Sequence, residues 1–259
     1  MKPVLRHIIG LSALAVMAVA FVAVLAVTRV RRSDVVCTGL RIEVTDSTRL
    51  GFVSVNDVRE YLKGYGAYIG QKTDSVNLEK IEYILDHKSA ILKSEAFMTG
   101  DGLLNVTITQ REPVVRFQKG AVGFYADDAG FVFPLQRGYV SDVPIVDGNI
   151  PLSVGDGFKG EPESPEEKLW LERIIGMARY MKKSKLWEDN IAQITVLQDG
   201  GLMMVPRIGR ERFLFGAPVQ VEKKFRKMRE YYEYIAPSKA DGYYSTVNLK
   251  YDGQIICRQ

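Results

Sequence analysis

Asp127 and Asp128 are the residues of this 259-residue chain best placed for acid–base chemistry. Adjacent carboxylates held at different pKa values can divide the roles of general acid and base. They stand in "ADDAG", between two apolar runs. That setting reads as a hairpin turn, in which Asp and Gly satisfy the backbone locally. The other candidates thin out in the same way. The two histidines are His7 and His87, and the two cysteines, Cys37 and Cys257, lie near opposite ends. No zinc-ligand spacing and no histidine-based triad follows from these. His87 closes a helical pattern, where a cation complements the helix dipole. "GDGFKG", residues 155–160, matches a Gly-x-Gly-x-x-Gly pattern, but "EPESP" follows where a phosphate-binding loop needs a helix to open. Two unpaired thiols are the plainer reading of the cysteines, with a disulfide as the alternative in an oxidising compartment. The residues therefore make no case for catalysis, and none for a metal, a cofactor or a small-molecule substrate.

A different kind of chemistry is legible at the end of the chain, in "YSTVNLKYDGQIICRQ". Val247, Leu249 and Tyr251 alternate with polar residues, Asp252-Gly253 follows, and Gln254 to Cys257 form a second short run. Asp-Gly tolerates the positive φ angles of a type I′ turn, so a two-residue hairpin is expected. Its last strand would have nothing downstream to cover it. An uncovered strand edge is an aggregation hazard that proteins usually blunt, and equally a ready acceptor for an added strand.

Hydrophobic residues make up 46% and charged residues 25%, a globular composition. The net charge is +4, but Lys2, Arg6, Arg29, Arg31 and Arg32 place +5 within residues 1–32, where no acid occurs. The rest of the chain is close to neutral. It lacks the concentrated basic surface whose counterion release drives nucleic-acid binding. The uncharged run Ile8 to Thr28 is long enough to span about 30 Å of bilayer core as a helix. A cleaved signal peptide, with Ala18-Val19-Ala20 as its processing site, is the competing reading. The apolar run continues well past that site, which favours an uncleaved anchor. Basic residues flank both ends, so charge leaves the orientation open.

Beyond the span, "GLRIEVTD" alternates as a strand. Ser54 with Asp57 forms a capping-box pattern before Val55, Val58 and Leu62. Asn77 caps a second helix with Leu78, Ile81 and Leu85 on one face. "ILKSEAFMT" and "LLNVTITQ" are strands joined at Gly100-Asp101-Gly102. The order strand-helix-helix-strand-strand suits a compact α+β module. After Pro113 come short strand-like runs: "VVRF", "AVGFYADDAGFVFPL", "VPIVDG", "NIAQITVL", "GLMMVP" and "ERFLFG". Two helices interrupt them. The first has Pro165 in its first turn and a stripe of Leu169, Arg173, Ile174, Met177 and Met181. The second carries Val221, Phe225, Met228, Tyr232 and Ile235. Its basic cluster, Lys223 to Lys227, reads as a solvated face, with an anionic lipid or acidic partner as the alternative. No repeat and no low-complexity linker is present, so the two domains are expected to abut. The expected organisation is a tail at 1–7, a transmembrane helix at 8–28, a first domain at 38–112 and a second, strand-rich β domain at 113–259.

This order of parts resembles the FtsQ/DivIB family of bacterial cell-division proteins, across nearly the whole chain. The first domain is similar to a POTRA domain. "TITQREPVVRF" resembles the passage out of it, with Glu112-Pro113 at the joint. "YADDAGFVFPL" and "VPIVDG" resemble the opening of the family's β domain, and "FGAPVQVEKKFRKM" and "VNLKYDGQIICR" its end. The resemblance implies a non-enzymatic divisome scaffold. It implies a single pass through the bacterial inner membrane, with the N-terminus cytoplasmic, the folded part periplasmic and the whole at the division septum. It implies FtsB- and FtsL-like partners and other divisome components, with strand addition to the last strand. By position, Tyr251 matches the aromatic before the turn, and Gln254, Ile255, Ile256, Cys257 and Arg258 match the partner-binding strand. The chain departs from many relatives in its short N-terminal tail, and from some in carrying Cys257 and Arg258 where they have a bulky aromatic. The alternative is another POTRA-bearing protein, a chaperone-like module contacting unfolded outer-membrane or secreted polypeptides through Glu95 to Gln110.

Overall fold

The computed structural model describes residues 14–23, 35–136, 138–240 and 242–259. Residues 14–23 form helix α1, which at 1.5 Å per residue is roughly 15 Å long. The remainder of the expected span, 8–13 and 24–28, and the tail with His7 lie outside the described residues. Among the described residues no helix is long and apolar enough to cross a membrane. The chain divides into two compact units, Met1–Arg49 with Val53–Gln110, and Leu50–Phe52 with Arg111–Gln259.

The first unit contains β1 (Gly39–Val44), α2 (Val55–Lys63), α3 (Leu78–Asp86), β2 (Ile91–Met98) and β3 (Leu103–Gln110). Its three strands order as β1-β3-β2, with β1 parallel and β2 antiparallel to the central β3. Local chemistry sets the helix starts. Ser54 and Asp57 form a reciprocal capping box on α2, and Asn77 Oδ1 accepts the Lys80 N–H at 2.8 Å on α3. Val58 and Leu62 of α2 and Ile81 and Leu85 of α3 are fully enclosed with Leu104, Val106 and Ile108 of β3. His87 forms the C-cap of α3, its Nδ1 lying 2.6 Å from the Tyr83 carbonyl. The β2–β3 turn needs Gly102. Its φ is +85°, and a Cβ there would meet the Val36 carbonyl oxygen at 2.1 Å.

In the second unit every strand-like run expected after Pro113 is a strand. They are β4 (Pro113–Lys119), β5 (Val122–Asp127), β6 (Val132–Pro134), β7 (Ile145–Gly148), β8 (Ile191–Val196), β9 (Leu202–Pro206) and β10 (Arg212–Gly216), followed by β11 (Thr246–Asn248) and β12 (Ile256–Arg258). They join one nine-stranded sheet in the order β12-β11-β10-β9-β8-β7-β4-β5-β6. The sheet is mixed: β4–β7, β7–β8 and β10–β11 are parallel neighbours, the rest antiparallel. Helices α4 (Pro165–Lys183) and α6 (Val221–Glu230) supply its core, with the short α5 (Lys185–Glu188) burying Trp187. Phe213, Phe215, Phe225 and Trp187 meet there, the rings of Trp187 and Phe225 lying 5.2 Å apart.

The α4 stripe differs from the expected one. Ile174, Met177 and Met181 are buried as expected and Leu171, Ile175 and Ala178 join them, whereas Leu169 is 48% exposed and Arg173 is exposed. Positions 171, 174, 178 and 181 keep helical spacing, and Leu169 falls off that line. Asp127 and Asp128 sit at the β5–β6 turn. Asp127 Oδ1 accepts the N–H groups of Ala129 and Phe131, its Oδ2 pairs with Arg111 at 2.7 Å, and Asp128 pairs with Arg179. Residues 155–160 form a loop whose Gly160 bridges Val132, and α4 opens only at Pro165. Cys37 and Cys257 are free thiols.

Candidate strand-docking edge

Strand β12 ends the nine-stranded sheet and pairs only with β11, through Thr246↔Arg258, Val247↔Cys257 and Asn248↔Ile256. The Ser245 N–H adds a bond to the Arg258 carbonyl at 2.8 Å. Among the described residues no strand lies on the outer side of β12, and no side chain bonds the backbone of Ile256 or Cys257. The support behind it is firm. Val247 is wholly buried, and β11 continues in parallel onto β10 through Phe213↔Val247. Ile255 and Cys257 lean on the core. Ile256 is half-buried and Arg258 exposed. Burial pushes the Cys257 thiol above its usual pKa, so it behaves as a packed side chain and not as a thiolate nucleophile.

The expected site residues are only partly brought together. Ile256, Cys257 and Arg258 form the strand. Gln254 and Ile255 precede it in the connecting loop, and Tyr251 is half-exposed in the turn. The expected two-residue hairpin is not formed. Residues 249–255 separate β11 from β12, and of Asp252 and Gly253 only Gly253 has positive φ, at +71°. A type I′ turn needs positive φ at both residues. The reason lies in α6. Lys227 Nζ donates to the Leu249 carbonyl at 3.4 Å and to the Tyr251 carbonyl, and Lys223 Nζ reaches Asp252 Oδ1 at 2.9 Å. That bond and the neighbouring lysines hold the Asp252 carboxyl below its usual pKa. The loop is pulled down onto α6, and pairing resumes only at Ile256.

The expected solvated face holds for Lys223 and Arg226, which are exposed, but not for the other two lysines of the basic cluster. Lys224 and Lys227 are 6% and 7% exposed. Lys224 Nζ donates to the Ala217 carbonyl at 2.7 Å and lies 4.8 Å from the Phe215 ring centroid. Burial, and then the charge of Lys227, lower its pKa. A sequence signal existed. Lys224 and Lys227 border the apolar stripe at four residues before Met228 and Tyr231, so their stems lie along it while their heads find carbonyls.

Beneath the same edge is a buried polar group that the sequence reading passed over. Glu211, just before β10, is 6% exposed and bonds the Tyr232 hydroxyl. Tyr231 packs edge-on to Phe213 at 5.5 Å. Its pKa is pushed up to about 12 by burial first, then by Glu211.

In comparison with known families, the model described as FtsQ/DivIB, C-terminal related, matches residues 112–258, more than half of the chain. A POTRA-like domain model matches residues 35–109. No curated protein matches the chain.

Proposed function

The chain belongs to the FtsQ/DivIB family, and on that premise we propose that it is a membrane-anchored division scaffold recruiting its partners by strand addition to β12. The family is one of non-enzymatic division scaffolds, and a POTRA-like domain followed by a strand-rich domain with helices fits that class. The observation that carries the mechanism is the position of β12, last in its sheet, with one neighbour and an outer side unbonded among the described residues. Backbone pairing supplies affinity at such an edge, and alternate side chains supply selectivity. Ile256 and Arg258 face away from the core and would read the incoming strand; Cys257 and Ile255 anchor β12 from beneath. Partners of the FtsB and FtsL type are the proposed donors. The uncharged run 8–28 supports a single membrane anchor; the cytoplasmic N-terminus, the folded units on the outer side and the place at the septum are proposed from the family alone.

The chaperone-like alternative has less support. β3 is paired on both sides, and the outward amides of Ser94 and Ala96 on β2 are already bonded within the unit. Photo-crosslinking residues placed at Ile256, Arg258, Lys93 and Glu95 of the full chain separate the two readings. Capture of FtsB- or FtsL-like proteins from the first two positions is the expected result. Co-purification of those partners without any crosslink from Ile256 or Arg258 would sink the β12 mechanism.

A further inference from the structure

Strands β4, β7 and β8 are neighbours and run parallel, with β7 starting level with Arg116 of β4. Their first residues, Pro113, Ile145 and Ile191, together with Met181 of α4, wall a cavity of about 400 Å³ in the second unit. Arg116 lines it from β4. Its Nε is shut off from solvent and lacks any hydrogen-bond partner. No acid among the described residues forms an ion pair with its guanidinium. A buried guanidinium N–H without an acceptor is costly, because it has given up water and received nothing. Arg207 stands on the rim, fixed by its N–H to the Asn190 carbonyl at 2.9 Å. Its exposed guanidinium is likewise unpaired among the described residues. Arg179 and Lys182 also line the cavity but are held in exposed pairs with Asp128 and Glu112. Such pairs are weak and exchangeable.

Three acids share the rim, Asp142, Glu188 and Asp189, all exposed. They repel a polyanion such as a phosphate group or a nucleic acid, yet none of them satisfies Arg116. The remaining fit is a single carboxylate attached to an apolar body. We propose that this cavity binds a peptide carboxylate flanked by an apolar side chain. The carboxylate takes a side-on bidentate bond from Nε and a terminal nitrogen of Arg116, Arg207 adds a second charge, and the apolar side chain lies against Ile145, Met181 and Ile191. Arginine suits this role because its planar fork matches a carboxylate.

The test uses the full chain in mild detergent and three dye-labelled peptides read by fluorescence anisotropy. They are Leu-Glu-Leu-amide, Leu-Leu with a free C-terminus, and Leu-Gln-Leu-amide, each carrying the dye as an amide on its N-terminus. Saturable binding of either carboxylate peptide, with at least about tenfold weaker binding of the glutamine control, is expected. Which of the two binds tells a side-chain carboxylate from a chain terminus. Arg116→Gln is expected to weaken binding by about tenfold or more, and the surface change Arg207→Gln by about threefold or more. Arg207→Gln keeps the test valid if Arg116→Gln does not fold. No saturable binding of either carboxylate peptide, equal binding of the control, or unchanged affinity in a folded Arg116→Gln chain would overturn the proposal.

Discussion

The two units each expose one sheet edge beside a helix, and the two helices treat those edges in opposite ways. In the first unit α3 offers acids. Asp86 Oδ1 accepts the Ser94 N–H at 2.7 Å and Glu82 Oε1 accepts the Ala96 N–H at 2.7 Å, so two outward amides of β2 are already satisfied. The Ser94 hydroxyl also donates to Asp86 at 2.7 Å. A carboxylate placed there stands in for the carbonyl of a neighbouring strand and blunts an edge of eight residues. In the second unit α6 offers lysines, which bind carbonyls. They fasten the loop before β12, at Leu249, Tyr251 and Asp252, and leave the strand itself unclaimed. The contrast teaches that exposure does not make an edge available. What decides it is whether the adjoining side chains bond the edge or only the approach to it.

The largest expected effect comes from removing the brace. Lys227→Met strips a buried donor from two carbonyls, and the second unit should lose about 2–3 kcal/mol in denaturant unfolding. Partner capture should fall with it, and Lys227→Arg should restore part of both. Unchanged stability would mean that the loop holds itself. The converse change opens the closed edge. Glu82→Ala with Asp86→Ala should cost the first unit about 2 kcal/mol and produce concentration-dependent self-association in sedimentation velocity. A double variant that stays monomeric would show that the carboxylates are not what blunts β2.

Alkaline titration tests the second unit next. Tyr231 has a folded-state pKa of about 12, raised from 10.0. Its contribution is full below pH 10 and is lost as pH rises towards 12, because the folded state holds the proton more tightly. Two pKa units correspond to roughly 2–3 kcal/mol at the upper limit. The second unit should therefore weaken over that window in circular dichroism melts, and Tyr231→Phe should flatten the slope. A slope unchanged in that variant would assign the loss to other groups. The smallest effect is at Gln220, which starts α6 with φ at +53°. Gln220→Gly relieves a left-handed backbone and should gain up to about 1 kcal/mol, visible as a higher melting temperature of the second unit alone.

Much of this architecture was legible residue by residue. The Ser54–Asp57 box and the Asn77 cap act within four residues, and both form as read. The alternating runs from "VVRF" to "ERFLFG" became β4 to β10 because a period of two is a local property. The candidate site was legible only in outline. Tyr251 and Gln254 to Arg258 were marked, but the strand shrank to Ile256–Arg258, because Lys227 claims carbonyls more than twenty positions away in sequence.

The sequence by itself determined which segments are helix or strand and which faces are apolar, since propensity, caps and periodicity are written in neighbouring residues. Tertiary structure alone decided that β4, β7 and β8 lie parallel, which carbonyls the two buried lysines reach, that Arg116 borders a cavity, and that β12 is open where β2 is closed. Each of these depends on which distant group comes to rest beside a given backbone atom. Hydrogen bonding and burial are settled by that neighbour, and no local pattern encodes it.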